Sequence, residues 1–422
     1  MSAPAELDVD IARRDARALR SVAVQFFVNG AMWASFVPRL PEIRTRIDVS
    51  VGTIGVLLAI GSITGLLGSI TLATVIGRFG TRRVLIYGAL ALTVALAIVG
   101  LATHPAVLVV GLAGLSAFDV YVDSSMNMQA SWLSGRRSVP VMNRLHGLWS
   151  LGTVLGGLVS LQLAAAEVPI TTHLLVAALF FAVVVAYVGS GLLVDDEHDP
   201  QFEPDVGTDS IIDPNAEPSA DPSAEVDARP RRPVVPSPLR RGLFVLGVLA
   251  ACSIAMEMTT SDWAAVRLAD DLDASPGVAV LGYVGFTVGM TVGRLGGDWA
   301  VTRFGSDLVL QGGTVIAAVG LATATLTPWV PTVVVGFLLA GLGVATQFPK
   351  LYDEAARHPG RAGAGLGALT GGSRIALLVV PLLVGTIADT SLGVGAAMAF
   401  VTLPAALVFV VLSMQVARRR AA

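Results

Sequence analysis

The sequence predicts an all-α membrane protein with twelve transmembrane helices arranged as two pseudo-symmetric six-helix bundles. Three observations predict it. Only 14% of the 422 residues are charged and 54% are hydrophobic, against about 25% and 45–50% in soluble domains, so a bilayer must replace water over much of the surface. Twelve apolar runs, each about 20 residues or longer and able to cross roughly 30 Å of hydrocarbon, fall six on either side of an acidic segment. The two halves share a local pattern at an offset of 225 residues.

In chain order, residues 1–19 form a polar tail, and no small-residue cleavage site follows an apolar core. The first run is therefore expected to persist as a helix rather than act as a signal peptide. Runs at 20–38, 52–76, 83–102, 105–133, 141–165 and 171–194 make the first bundle, 20–194. Residues 195–238 hold twelve of the 31 acidic residues and nine of the 22 prolines. With so few apolar side chains this segment is expected to be a disordered linker. Runs at 241–266, 277–301, 308–327, 329–350, 363–388 and 392–416 make the second bundle, 239–417, and 418–422 form a short tail.

Arginine sets the orientation, because positive charge is retained on the cytoplasmic side. With the N-terminus inside, 21 arginines fall in cytoplasmic segments and four, Arg39, Arg44, Arg46 and Arg267, fall outside. Both termini and the linker are thus expected in the cytoplasm. Cys252 is the only cysteine, which excludes an intrachain disulfide and any multi-cysteine metal or redox site. The glycine-rich runs lie inside apolar helices and lack the strand–loop–helix setting of a phosphate cradle. No catalytic constellation is present, so the protein is read as not an enzyme, with no cofactor and no nucleic-acid partner.

The repeat is clearest after the second run of each half, where Gly77-Arg78-Phe79-Gly80-Thr81-Arg82-Arg83 stands against Thr302-Arg303-Phe304-Gly305-Ser306-Asp307-Leu308. Val110-Gly111 likewise matches Val335-Gly336, and Trp33-Ala34 echoes Trp263-Ala264. A parallel repeat of this kind places a substrate site at mid-membrane between the halves. On these residues the chain resembles the major facilitator superfamily. The first turn is similar to its signature loop G-x-x-x-D-R-x-G-R-R, keeping Arg78, Gly80, Arg82 and Arg83 but carrying Gly77 at the acidic position, with Thr302 there in the second half. A closer resemblance is to uncharacterised bacterial inner-membrane permeases related to fucose-permease-like sugar transporters. It rests on Asp123-x-x-x-Asn127-x-Gln129, His146-Gly147-Leu148-Trp149-Ser150-Leu151-Gly152, Glu257-x-x-x-x-Asp262-Trp263 and Gly285 to Arg294. The resemblance implies alternating access, a cavity lined by the first, fourth, seventh and tenth helices, and localisation in the bacterial cytoplasmic membrane.

Ionisable groups inside a bilayer cost several kcal/mol unless they meet a partner or a cavity, so they are the candidates for function. Asp119, Asp123 and Asn127, spaced four apart, form one stripe on the fourth helix, lining a cavity or a polar seam. Glu257 lies deep in the seventh helix. Asp262, nearer its outer end, is expected to cap or to pair with Arg267. Asp123, Glu257 and Asp119 are the candidate proton-coupling residues. Gln25, Asn29, Trp33, Asn127, Trp263 and Arg374 are the candidate substrate-binding residues, the two tryptophans serving either to stack on a solute or to form an interfacial belt. Arg374 is expected to pair with Glu257 or an anionic substrate. Arg294 is expected to pair with Asp298 or an acidic helix end, and with Arg78, Arg82, Arg83, Asp298 and Arg303 makes up the gating group. Lys350, Asp353 and Glu354 are read as interfacial charges. His146, at a helix start, suits an interfacial hydrogen bond or proton work.

The function expected is secondary active transport of a small solute. Family antiporters usually carry a glycine-proline motif in the fifth helix, and the run Gly152 to Gly157 lacks proline. The resemblance therefore points to proton-coupled symport of a polar solute such as a sugar. The alternatives are proton-coupled efflux of drugs or metabolites and, in another class, a non-transporting membrane sensor or scaffold. The expected partners are lipid, protons and a small-molecule substrate, and the expected state is a monomer.

Overall fold

The structure, a computed structural model, describes residues 3–137, 141–195, 237–357 and 364–421. The acidic linker lies outside the described residues except at its ends. The first half comprises α1 (Ala3–Phe36), a 3-10 turn (Val37–Arg39), α2 (Leu40–Ile47), α3 (Val51–Phe79), α4 (Thr81–Leu101), α5 (Pro105–Arg137), α6 (Met142–Ala165) and α7 (Ile170–Gly189). The second comprises α8 (Ser237–Leu272), α9 (Pro276–Phe304), α10 (Ser306–Leu326), α11 (Val330–Val344), α12 (Gln347–Ala356), α13 (Ala364–Ala388) and α14 (Gly393–Ala421). Among the described residues, eleven spans are long and apolar enough to cross a membrane, α11 and α12 counting as one. The remaining helix of the twelve, α1, falls short because Gln25 and Asn29 interrupt its apolar stretch. Two boundaries differ from the sequence reading. The helix begins at Ala3, well before the apolar run, and the tenth run breaks between α11 and α12, where Gln347 is buried and donates to Thr314 Oγ1 at 3.0 Å.

The repeat is present at atomic level. The same helices touch in each half: α1 with α6, α3 with α5, and α4 with α5 and α7 correspond to α8 with α13, α9 with α11, and α10 with α11 and α14. Gly111 packs on Val99 and Ala95 of α4, while Gly336 packs on Ala324 and Gly320 of α10, each residue 225 positions on. The two Arg-Phe-Gly turns close identically, with Gly80 at φ 78°, ψ 149° and Gly305 at φ 83°, ψ 149°. This left-handed φ is open to glycine and strained for residues with a Cβ, so glycine at both positions follows from the turn. A carboxylate from the far end of the half does meet this turn. Asp195, at the end of the first half, accepts the Thr81 N–H on both carboxylate oxygens at 3.0 Å, a favourable place for a negative charge at the start of α4.

Both chain ends and the Arg-Phe-Gly turns lie at one face, here the terminal face. There Asp15 pairs with Arg136 at 2.7 Å and Arg14 donates to the carbonyls of Gly191 and Leu192. At the opposite, far face, all four exceptional arginines are engaged. Arg39, 1% exposed, pairs with Glu42 and donates to Val168 O, with His173 beside it. Arg46 donates to the carbonyls of Gly100 and Ala102 at the C-terminus of α4, and Arg267 donates to Thr325 O and Thr327 O at the C-terminus of α10. A guanidinium suits those orphan carbonyls and the negative end of the helix dipole. Arg44 crosses to the second half and pairs with Asp270 at 2.7 Å.

A second polar contact joins the halves at the far face, where Asp389 accepts from Ser50 Oγ at 2.6 Å and from Gly52 N at 2.8 Å, so that a side chain of α13 caps α3. Between described residues, no ion pair or hydrogen bond joins the halves closer to the terminal face than Arg374 to Ser69 and Arg294 to Ser150. Only α3 with α13 and α6 with α9 make extensive contact between the halves, and α1 and α5 make little or none with α8 and α11. The polar contacts that join the halves among the described residues are thus gathered from mid-span to the far face.

Two outcomes follow for purified protein. Arg46→Ala strands the last carbonyls of α4 and is expected to cost roughly 1–3 kcal/mol, read as a lower Tm. Asp270→Ala combined with Asp389→Ala removes both far-face contacts and is expected to raise the far-face-open population about fivefold or more, for about 1–2 kcal/mol lost. Spin-label distances across the far-face helix ends measure it; an unchanged distance distribution contradicts this role.

Candidate functional site

The site is built on a seam between α1 and α6. A Cβ on Gly30 would collide with the Trp149 carbonyl oxygen, and one on Gly152 with that of Phe27, so the two backbones lie in contact. This brings the Trp149 indole to Asn29. Trp149 Nε1 donates to Asn29 Oδ1 at 2.8 Å, and Asn29 Nδ2 donates to Asp119 Oδ1 at 3.0 Å. Trp33 Nε1 reaches the same Asp119 oxygen at 3.2 Å. Asn29 is 3% exposed and Gln25, one turn away, 2%, with its amide nitrogen unpartnered. The fourfold spacing of Gln25 and Asn29 thus does mark the inward face of α1.

Asp123 follows Asp119 by one turn. It is exposed rather than sealed in the core. Its carboxylate accepts from Asn127 Nδ2 at 3.2 Å. Arg374 of α13 faces both Asp119 and Asp123 from the other half and donates to Ser69 Oγ at 2.7 Å. Of the partners expected for Arg374, Glu257 is not the one it meets: Arg294 pairs with Glu257, and Arg374 lies within electrostatic reach of the α5 stripe.

Glu257 pairs with Arg294 of α9 at 3.6 Å. The Arg294 guanidinium also lies over the Trp149 ring, 5.7 Å from its centroid, and donates to Ser150 Oγ at 3.2 Å. The expected pair with Asp298 does not form. Asp298 is exposed one turn nearer the terminal face, whereas Glu257 is enclosed and is the carboxylate Arg294 reaches. A polar chain therefore runs across the halves, from Glu257 through Arg294, Trp149 and Asn29 to Asp119.

Two further expectations are corrected. Arg267 pairs with Asp271 at 2.9 Å, not with Asp262, because Asp271 lies one helical turn on and also caps α14 through Val394 N and Gly395 N. Asp262 instead faces Tyr283 inside the second half. Trp263 is 1% exposed and open neither to the cavity nor to a membrane interface, because α8 packs on α9 at Gly282, where a Cβ would lie 2.8 Å from Ala264 O. His146 stacks edge-on against Phe26 at 5.2 Å. Arg78, Arg83 and Arg303 are exposed at the terminal face, and Arg82 donates to Ser190 O at 3.2 Å within its own half; among the described residues none of the four bridges the halves. Lys350 pairs with Glu354 at 3.4 Å and Asp353 with Arg357 at 2.5 Å. Trp149 and Ser150 stood in a recognised motif without an assigned role. Gly30 and Gly152 were the available signal, since glycine on two apolar helices marks close approach.

Comparison with known proteins agrees with this architecture. The family model of the Major Facilitator Superfamily matches residues 22–266. An uncharacterized transporter, y4wD, of Sinorhizobium fredii is 28% identical over 80% of this chain and 82% of its own length. Membrane protein MosC of Rhizobium meliloti is 26% identical over 91% of this chain and 86% of its own. Among solved structures, the nucleoside transporter NupG superposes with a TM-score of 0.69 at 12% identity, covering 94% of this chain and 97% of the other. The fucose:proton symporter FucP of E. coli does so with a TM-score of 0.58 at 15% identity, covering 93% and 96%. With twelve helices in two repeated halves around a central polar space, the chain belongs to the major facilitator superfamily.

Proposed function

We propose that the protein is a proton-coupled symporter of a small polar solute in the bacterial cytoplasmic membrane, with both termini in the cytoplasm. The observation that carries this reading is the polar lining between the halves, in which Asp119, Asp123 and Glu257 meet Asn29, Trp33, Arg374 and Arg294. A cavity built for amphipathic drugs would present mainly Met, Phe and Val. This one presents hydrogen-bond donors and carboxylates, the chemistry that selects hydroxyl-bearing or amine-bearing solutes. The nucleoside of NupG and the fucose of FucP are both solutes of this polar kind. The arginine distribution supports the orientation.

In the cycle, solute and proton enter from the far side when the halves rock and leave on the terminal side in the arrangement described. Asp123 and Glu257 are the proton carriers. Asp123 is accessible from the cavity, so proton exchange there needs no rearrangement of the seam. Protonating Glu257 removes the counter-charge of Arg294 and leaves that guanidinium to Ser150 and the Trp149 face. The binding of proton and the packing of α6 on α9, one of the two extensive contacts between halves, are thereby linked. Arg78, Arg82, Arg83, Arg303 and Asp298 are poised to meet across the halves once the terminal face closes.

A thermal-shift screen of the purified protein against L-fucose, uridine, organic acids and cationic drugs, followed by uptake in proteoliposomes under an imposed pH gradient, tests the reading. A polar solute is expected to stabilise the protein and accumulate with the proton gradient. Accumulation against it would mean antiport, and no flux from well-folded protein would favour a sensor or scaffold. Asp123→Asn and Glu257→Gln are each expected to lower gradient-driven accumulation roughly tenfold or more, a loss of about 1.4 kcal/mol of coupling, while solute exchange without a gradient persists. If both variants still accumulate solute, the assignment of the proton is wrong.

A further inference from the structure

The Asn29 amide has two chemically different ends, and each meets a partner that accepts only one of them. An indole N–H can only donate and a carboxylate oxygen accepts. The Trp149 Nε1 to Asn29 Oδ1 bond of 2.8 Å and the Asn29 Nδ2 to Asp119 Oδ1 bond of 3.0 Å therefore leave a single satisfied orientation. Rotating the amide would set two donors face to face at Trp149. Trp33 Nε1 adds a second donor to Asp119 Oδ1, and no group among the described residues bonds Asp119 Oδ2. The other side of the Trp149 ring is occupied by the Arg294 guanidinium, within the distance of a cation–π contact, and its backbone is pinned by Gly30. The ring is thus held on its face, its edge and its main chain.

We propose that Trp149 is a positioning residue that locks the Asn29 amide, so that Asp119 presents one free oxygen, Oδ2, to the central cavity as the acceptor for a hydroxyl or amine donor of the solute. This separates two roles: Asp119 receives the solute, and Asp123, one turn on and bonded only within its own helix, is left for the proton. The charged and titratable groups acting on Asp119 are Asp123 on the same helix and Arg374 from α13; α1 offers it the neutral donors of Asn29 and Trp33. The proposal rests on the central cavity being the solute site. Its test measures no transport, so its failure and the failure of the symport reading are separable.

The test uses the full chain in lipid nanodiscs with isotope-labelled indole groups; its six tryptophans give few enough N–H signals to assign by single substitutions. The Trp33 indole touches Asp119 directly and reports its charge. Its signal is expected to follow pH and to lose that dependence in Asp119→Asn. Trp149→Phe keeps the ring and removes the N–H; it should move the Trp33 midpoint by about half a pH unit or more, the scale of one positioned hydrogen bond. Asn29→Ala should move it too, and the double variant no further than Asn29→Ala alone, because residues acting through one another do not add. Trp149→His, which retains a ring N–H, should restore the wild-type midpoint. A Trp33 signal indifferent to pH, a midpoint unchanged in Trp149→Phe, or additive shifts overturn the proposal. Should Trp149→Phe fail to fold, the Trp149 indole signal in Asn29→Ala decides: it shifts if the contact exists, and a fixed position overturns it.

Discussion

Inside hydrocarbon no water is available to bond a stray polar group, and each unsatisfied one costs several kcal/mol. That constraint accounts for where many of the buried polar side chains among the described residues lie. Arg39, Arg46 and Arg267 are spent on carboxylates and helix C-termini at the far face. Asp195 and Asp389 are spent on helix N-termini, one within a half and one between halves. Between the halves, Glu257, Arg294, Trp149, Asn29 and Asp119 form a chain rather than isolated charges.

Packing and chemistry are joined at the α1–α6 seam. Removing side chains at Gly30 and Gly152 lets two backbones touch, and only at that separation does an indole on one helix reach an amide on the other. The same indole carries a guanidinium from the opposite half. Two rigid six-helix units thus meet at a place where one residue is shared between the scaffold of the first and the charge balance of the second. A displacement of α9 against α6 cannot leave Trp149 undisturbed.

Much of this was legible in sequence because it is periodic or local. Run lengths gave the helices, the 225-residue offset gave the repeat down to the glycines facing α4 and α10, and fourfold spacing gave the inward faces of α1 and α5. Partnership across long separations was not legible. Arg294 lies four residues from Asp298 and 37 from Glu257, and local spacing favoured the nearer carboxylate; the fold buries the farther one beside it. Asp195 caps α4 from over a hundred residues away. Trp263 resembled Trp33 in its dipeptide, but resemblance over two residues says nothing about burial, which is set by how closely α8 meets α9. The linker, readable only by composition, lies outside the described residues.

The far-face contacts have one further consequence. Arg44 to Asp270 and Asp389 to Ser50 and Gly52 are made of groups that water and dissolved ions satisfy almost as well as they satisfy each other. An apolar plug of the same size would have to wet dry surface to open. Here opening exchanges one set of partners for another, so the difference between the two states is small and depends on ionic strength, because exposed charges are screened within about 10 Å at 0.1 M salt. These contacts are therefore an adjustable bias rather than a seal, and the salinity of the medium at the far face becomes a quantity to which the distance between the halves there responds.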